Sequence, residues 1–342
     1  MKASSSTRTA GVTALALALG MISCSGERNL GSSSPHGLLP VDERNPILLF
    51  NDGVKDNWQG EYAILLSSSG GPKLAGIVVG TSPNLPVIED NQRDWGRLVQ
   101  AAHDSGLSDI PDLTVSPGDK LVRPPTGDIE ATMANRSPGA QVIGRLSKEL
   151  SLPYRPLVVV TGGRLTDVAD AYLMDRTVVE RVVVVSSLGS ATDTGGAMSD
   201  PNGEMDPWAD VIVTNRFRYV QVSAFYDQLM DVPSSLLSKL PDNAFGRWIR
   251  DKQSKVWDLP KAADQVAVLA VGVPSFAAAV DRVSAAATVA ADATAGPELL
   301  SGPNGAGWLV RRCNGAEAGK RFWQALGELF PSPPSPAAPA AP

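Results

Sequence analysis

Six short runs of apolar, mostly β-branched residues constrain the fold more than any other feature of the chain. Most of them are apolar at nearly every position, which predicts strands buried on both faces, as in a parallel sheet. Helical stretches lie between several runs, and their lengths suit right-handed crossover connections. The predicted fold is therefore α/β, with a mostly parallel open sheet flanked by helices. The predicted strands are residues 46–50, 74–79, 156–160, 181–186, 210–214 and 219–223, and the predicted helices are residues 92–105, 141–150 and 166–174.

After Ser223 the pattern becomes mainly helical, so we predict a helical C-terminal part. An alanine-rich segment at 277–295 has helical spacing, which favours a packed or surface helix over low-complexity sequence. The other predicted elements are helices at residues 245–256 and 262–271, a strand-like segment at 307–311 and a last helix ending at Leu329.

Both ends of the chain differ in composition from the middle. The first residues are basic and lead into an apolar stretch too short to span a bilayer comfortably, which predicts a lipoprotein-type signal peptide at residues 1–23. The Met-Ile-Ser-Cys segment ending at Cys24 resembles a bacterial lipobox, so Cys24 is predicted to be lipidated; a simple cleaved signal is the alternative. Residues 24–45 and 331–342 are predicted to be a disordered tether and a Pro/Ala-rich disordered tail around one domain at 46–330.

A lipid at Cys24 would hold the domain at a membrane of the bacterial cell envelope, outside the cytoplasm, for example in the periplasm. Cys313 would then be the one cysteine left, so no internal disulfide is expected and the core must stabilise the domain. The net charge of −6 and the absence of a basic patch argue against nucleic acid polymers as partners. Small uncharged or cationic ligands fit this charge, and homo-oligomer formation is left open.

Acidic residues follow the first predicted strand. Asp52 and Asp56 stand four residues apart and are followed by Asn57, at the strand end where α/β proteins build ligand sites. A lone aspartate here would be read as a helix N-cap, but two carboxylates and an amide suit a hard cation such as Ca²⁺. Thr161 ends a later strand before two glycines, and it could supply a backbone carbonyl or could be a plain turn residue.

Two later segments also carry acidic side chains. Glu204 and Asp206 lie in an oxygen-rich stretch that fails as an EF-hand loop because its glycine is misplaced and the closing glutamate is absent. We predict that both accept hydrogen bonds from ligand hydroxyls, with Trp208 as a wall, against an equally weighted alternative of a solvated acidic loop. Asp264 opens an apolar helix and by itself would be an N-cap.

Four motifs occur in an order that resembles the calcium-dependent nucleoside hydrolase superfamily, of the inosine-uridine-preferring type, over roughly residues 46–275. They are Asp-x-x-x-Asp-Asn from Asp52, Thr-Gly-Gly-x-Leu-Thr-Asp-Val-Ala from Thr161, Gly-Glu-Met-Asp ending at Asp206, and Asp-Gln-Val-Ala-Val from Asp264. The resemblance implies a Rossmann-like core and metal-assisted hydrolysis of an N-glycosidic bond in a ribonucleoside or related glycoside.

The resemblance also implies roles for individual residues. Asp52 would contact Ca²⁺ and take a proton from the attacking water, and Asp56 would hold ribose hydroxyls. Glu204 and Asp206 would grip the sugar. The metal ligands implied are Asp52, Asn57, the carbonyl of Thr161, and Asp264.

Several residues depart from the family pattern. Phe50 and Asn57 stand where aspartates are expected, and Ala263 stands where many members carry a histidine that protonates the leaving base. The two histidines of the chain, His36 and His103, fall outside the motifs. A catalytically impaired lipoprotein that binds a sugar or nucleoside is therefore the alternative function. A generic Rossmann-type cofactor protein is disfavoured because no Gly-x-Gly-x-x-Gly follows the first strand.

Overall fold

The computed structural model describes residues 38–54, 57–187, 192–193, 205–223, 239–256, 264–273, 275–285 and 298–331. Within these ranges the strands form one sheet. The strands are β1 Ile47–Asn51, β2 Leu74–Val79, β3 Leu113–Val115, β4 Leu157–Thr161, β5 Val182–Ser187, β6 Thr192–Asp193, β7 Arg218–Val222, β8 Ala277–Ala285, β9 Glu298–Ser301 and β10 Gly307–Cys313.

Helices connect most of these strands and pack on the sheet. The α-helices are α1 Gln59–Ser68, α2 Ile88–His103, α3 Pro138–Leu150, α4 Thr166–Met174, α5 Pro207–Arg216, α6 Ala244–Val256, α7 Gln265–Gly272 and α8 Gly315–Leu329. Two short 3₁₀ turns lie at Ile129–Ala131 and Arg176–Glu180.

The sheet is mostly parallel, in the order β3-β2-β1-β4-β5-β7-β10-β8-β9-β6. Each neighbouring pair from β3 to β10 is parallel, β8 runs antiparallel to both β10 and β9, and β9 and β6 are parallel. Phe50 pairs with Thr161, and Thr161 pairs with Ser186, so the carboxyl ends of β1, β4 and β5 lie side by side. This edge of the sheet carries the residues that the sequence motifs singled out.

Apolar side chains cover the sheet on both faces, which explains why the strands read as continuous apolar runs. Leu49 and Val160 belong to the cluster that packs with α1, α2, α7 and α8. Leu48 and Phe50 belong to the opposite cluster, with α3, α4 and α5. Phe50 is thus a core residue of this fold.

The predicted α/β class and parallel sheet are confirmed, and β2 and α4 match their predicted ranges. The strand predicted at 210–214 is wrong, because these residues lie in α5. Pro207 occupies the first turn of that helix and the Asp206 carboxylate caps it, accepting a hydrogen bond from Ala209 N at 3.1 Å. A short apolar run does not by itself distinguish a strand from a buried helix, and here the cap and the proline decide.

The helix predicted at 277–295 is also wrong where the structure describes it, because residues 277–285 form β8. Strand pairing with β10 and β9 outweighs the helix preference of alanine. The C-terminal part therefore contains strands as well as helices. Residues 286–295 lie outside the described part of the chain.

Burial raises the pKa of the Cys313 thiol to about 12. Among the described helices, none has the length and apolar character needed to cross a bilayer. Cys24, the signal segment and most of both predicted disordered ends lie outside the described ranges, so these assignments stay predictions.

Candidate functional site

Polar side chains from four separate segments meet at the carboxyl ends of β1, β4 and β5. Asp264 stands immediately before α7, and it accepts a hydrogen bond at each carboxylate oxygen. Asn51 Nδ2 donates to Oδ2 at 2.7 Å, and Ser187 Oγ donates to Oδ1 at 2.7 Å. Asp264 makes no side-chain capping bond to α7, so the N-cap alternative does not explain it. The residue joins β1 and β5 at the sheet edge.

The backbone of β4 approaches Asp264 closely at Gly162. A Cβ atom placed on Gly162 would lie 2.2 Å from Cβ and Cγ of Asp264 and 2.5 Å from Asn51 Nδ2. The Gly162 N–H also donates to the carbonyl of Phe50 at 2.9 Å. Only glycine fits between the two strands and the carboxylate at this position.

Asp52 follows β1 and is 7% exposed. Its Oδ1 atom accepts a hydrogen bond from Gly53 N at 2.7 Å, which fixes the orientation of the carboxylate. Gly163 lies beside it, because a Cβ built on Gly163 would be 3.8 Å from Asp52 N. The Thr161 hydroxyl accepts from Gly163 N at 3.1 Å and donates to its carbonyl at 2.9 Å. The structure therefore brings Asp52 next to the turn that follows β4.

Asn57 is fully buried and uses both ends of its amide. Its Nδ2 donates to the carbonyl of Gly53 at 2.8 Å and lies 3.4 Å from Asn51 Oδ1. Its Oδ1 accepts from Gln59 N at 3.0 Å. An aspartate carboxylate has no N–H to donate to Gly53, so asparagine is the residue that closes this loop onto α1.

A buried ion pair supports the same loop from the other side. Lys252 Nζ donates to the carbonyl of Asn57 and pairs with Glu61 Oε1 at 2.7 Å. The ammonium lies 4.5 Å from the ring centroid of Trp58, and Trp248 Nε1 donates to Glu61 Oε1 at 2.7 Å. The sequence does not single out Lys252, because nothing in the pattern of an amphipathic helix shows which lysine side chain is buried.

Asp206 and Trp208 both lie at the start of α5 and are buried. Besides capping α5, the Asp206 carboxylate accepts from Leu121 N at 3.0 Å and Thr166 Oγ1 at 2.9 Å. Burial raises the pKa of Asp206, and these hydrogen bonds oppose the rise. Trp208 Nε1 donates to Thr132 Oγ1 at 3.0 Å. Ligand contact by Asp206 and Trp208 stays a prediction, and Asp56, Glu204 and Ala263 lie outside the described residues.

Arg164, directly after the two glycines, is a second residue that the sequence analysis missed. Burial lowers the pKa of its guanidinium, and four carboxylates oppose that shift. They belong to Asp167, Asp206, Asp119 and Asp52. Its Nη2 is buried with no hydrogen-bond partner in the described part of the chain. The Arg164 guanidinium therefore interacts electrostatically with both Asp52 and Asp206. The signal for it in the sequence is its position directly after Gly162 and Gly163.

The four residues implied as metal ligands lie at this one edge of the sheet, but the hydrogen bonds of two of them, Asn57 and Asp264, disfavour a divalent ion. Both oxygens of Asp264 accept from neutral protein donors, and both polar atoms of the Asn57 side chain are used within the protein. Ca²⁺ requires about six to eight oxygen ligands, and protein groups already contact the side-chain oxygens of Asn57 and Asp264. Within the described ranges, no group of three or more Asp, Glu, His or Cys residues could hold a metal ion.

No protein-family model matches the chain, and a search of curated proteins finds no match. Similar solved structures include an inosine-guanosine nucleoside hydrolase, with 14% identity and a TM-score of 0.58 over 84% of this chain and 99% of that one. The inosine-uridine preferring nucleoside hydrolase from Bacillus anthracis shares 12% identity, with a TM-score of 0.55 over 84% and 99%. The type III effector protein XopQ, solved with adenosine diphosphate ribose, shares 12% identity, with a TM-score of 0.53 over 85% and 96%. The chain has the fold of these proteins, two of which are nucleoside hydrolases.

Proposed function

We propose that this protein hydrolyses the N-glycosidic bond of a ribonucleoside or a related glycoside. The observation that supports this best is the position of Asp52. It is a carboxylate held at the carboxyl end of the interior strand β1, beside the turn after β4, in a fold shared with nucleoside hydrolases. In parallel α/β sheets this edge is where ligands bind.

In the proposed reaction Asp52 is the general base. It accepts a proton from the water that attacks the anomeric carbon, while positive charge develops on the sugar as the bond to the base breaks. The hydrogen bond from Gly53 N holds the carboxylate in one orientation, and the carboxylate interacts electrostatically with the Arg164 guanidinium. His103 is exposed at the end of α2, so we assign the leaving base no histidine acid within the described residues.

The resemblance implied that Ca²⁺ assists this reaction, with Asp52, Asn57, the Thr161 carbonyl and Asp264 as its ligands. The hydrogen bonds at Asn57 and Asp264 disfavour that form, so no step of the proposed reaction passes through a metal. Lipidation at Cys24 and action outside the cytoplasm are part of the proposal and rest on the sequence signals alone.

A ligand-binding protein without catalysis is the second candidate. Two observations favour it: Phe50 is part of the core, and the Asn57 amide is committed to the loop. Its structural similarity to XopQ, which was solved with adenosine diphosphate ribose, is consistent with binding a ribosyl ligand. This candidate differs from the first by one measurable property, the release of free sugar.

The Asp52→Asn variant tests the proposed role of this residue. Because the amide cannot accept the proton of the attacking water, we expect kcat for sugar release from the best nucleoside to fall by about 100-fold or more. The control is Asp109→Asn, an identical change at an exposed aspartate, which should leave kcat within about twofold of the parent. Equal rates for the parent and Asp52→Asn would remove Asp52 from the mechanism.

A further inference from the structure

We propose that this site works without a divalent cation. Protein groups donate hydrogen bonds to the Asp264 carboxylate, and they hold the loop after β1 that an ion would otherwise hold. We call these groups the amide cage: Asn51 and Ser187, which donate to Asp264, and Asn57 and Gln59, which contact Asn51. The inference deepens the proposed function, because it concerns the same site. It is tested by metal binding, which requires no turnover.

The first support is the pair of hydrogen bonds that the Asp264 carboxylate accepts. Asn51 Nδ2 donates to one of its carboxylate oxygens and Ser187 Oγ to the other, both at 2.7 Å. The side chain is also packed against Gly162, which leaves no room for it to move toward β4. Both oxygens of the Asp264 side chain are therefore hydrogen-bonded by neutral donors of the protein.

Asn51 is the junction of the cage. Asn51 Nδ2 donates one hydrogen to Asp264 Oδ2 and the other to Gln59 Oε1, each at 2.7 Å. Because both partners are acceptors, the amide nitrogen of Asn51 and not its oxygen must face them. Its Oδ1 faces Asn57 Nδ2 at 3.4 Å. A cation at Asp264 Oδ2 would lie beside the Asn51 N–H that this oxygen already accepts. Gln59 Nε2 adds another buried N–H, with no hydrogen-bond partner in the part that the structure describes.

The loop after β1 is held from within the protein as well. Asn57 bonds to Gly53 and to the start of α1, and Lys252 Nζ donates a hydrogen bond to the Asn57 carbonyl. The positive charge that contacts this loop is thus a side chain, itself paired with Glu61. A divalent ion is not needed to close the loop, since these contacts already do so.

Calcium binding by the full chain is the direct test. We expect no binding heat in a calorimetric titration up to about 1 mM Ca²⁺, the weak end of the range for protein calcium sites. We also expect the same Tm in Ca²⁺ and in chelator, because an ion that bound the folded state would raise it. A Kd below about 1 mM, or a Tm that rises with Ca²⁺, would overturn the inference.

The Asn51→Asp/Asn57→Asp double variant tests whether these two amides are the reason that the parent does not bind Ca²⁺. It replaces two N–H donors with carboxylates beside Asp264, so we expect a Tm that is lower than the parent's in chelator and rises on addition of Ca²⁺. The matched control is Asn314→Asp, the same chemical change at the N-cap of α8, where aspartate also caps, and its Tm should not respond to Ca²⁺. A folded double variant that ignores Ca²⁺ would contradict the assignment to these two residues.

The outcomes separate this inference from the proposed function. Sugar release that persists in chelator supports both. Release that stops in chelator and returns with Ca²⁺ overturns the amide cage and keeps the hydrolase. No release, together with no Ca²⁺ binding, keeps the cage and removes the hydrolase.

Discussion

The Lys252→Met variant should lose about 3–5 kcal/mol of unfolding free energy, or fail to fold. Lys252 is 5% exposed and Glu61 is fully buried, so the variant leaves a carboxylate in the core without its cation. Glu61 Oε2 already has no hydrogen-bond partner among the described residues, which increases its dependence on Lys252. Denaturant titration followed by tryptophan fluorescence gives the free energy of unfolding.

Two comparisons identify the cause of that loss. Lys252→Met/Glu61→Gln removes the unpaired charge and keeps an acceptor for Trp248, so we expect it to recover most of the lost free energy. Arg145→Met breaks an exposed pair with Glu149, in which the side chains are 58% and 51% exposed, and should cost less than about 0.5 kcal/mol. A Lys252→Met variant as stable as Arg145→Met would show that the buried pair does not form.

The Gly162→Ala variant should reduce kcat/KM for sugar release by about 100-fold or more. Its Cβ would lie 2.2 Å from Asp264, so the carboxylate must move and the cage around it must open. Displacements of about 1 Å at a catalytic site are enough for a loss of this size. Steady-state kinetics with the best nucleoside measures the effect.

The neighbouring glycine gives a matched control. At Gly163 the nearest atom to an added Cβ is Asp52 N at 3.8 Å, which is an ordinary van der Waals contact. Gly163→Ala should therefore retain most of the activity of the parent. Equal activity of Gly162→Ala and Gly163→Ala would contradict the close packing of Asp264 against the Gly162 backbone.

The sequence predicts the sheet because apolar runs such as β2 and β4 are buried on both faces, and a continuous run is a strong signal for a parallel strand. It misplaces α5 because the short apolar run outweighed the local Asp-Pro signal for a helix start, and it misplaces β8 because the deciding contacts are distant in the sequence. Asp206 caps α5 with one carboxylate oxygen, and β8 is held by pairing with β10, which lies later in the chain.

The candidate site, like the fold, is predicted from the sequence only in part. The order of the motifs predicts that Asp52, Asn57, Thr161 and Asp264 meet at one edge of the sheet, and the structure brings them there. The groups that decide their chemistry are not marked in the sequence. Asn51 and Ser187 end their strands as ordinary polar residues, and only the fold shows that they donate to Asp264.

Isotope-labelled sugar release tests the central claim most directly. The full chain would be incubated with a panel of purine and pyrimidine nucleosides in water enriched in oxygen-18, with chelator present, and the released sugar examined by mass spectrometry at early times. The account predicts free sugar that carries one oxygen-18 atom, because water attacks the anomeric carbon. Nucleosides that bind the protein and are recovered intact would contradict it and leave a ligand-binding protein in this fold.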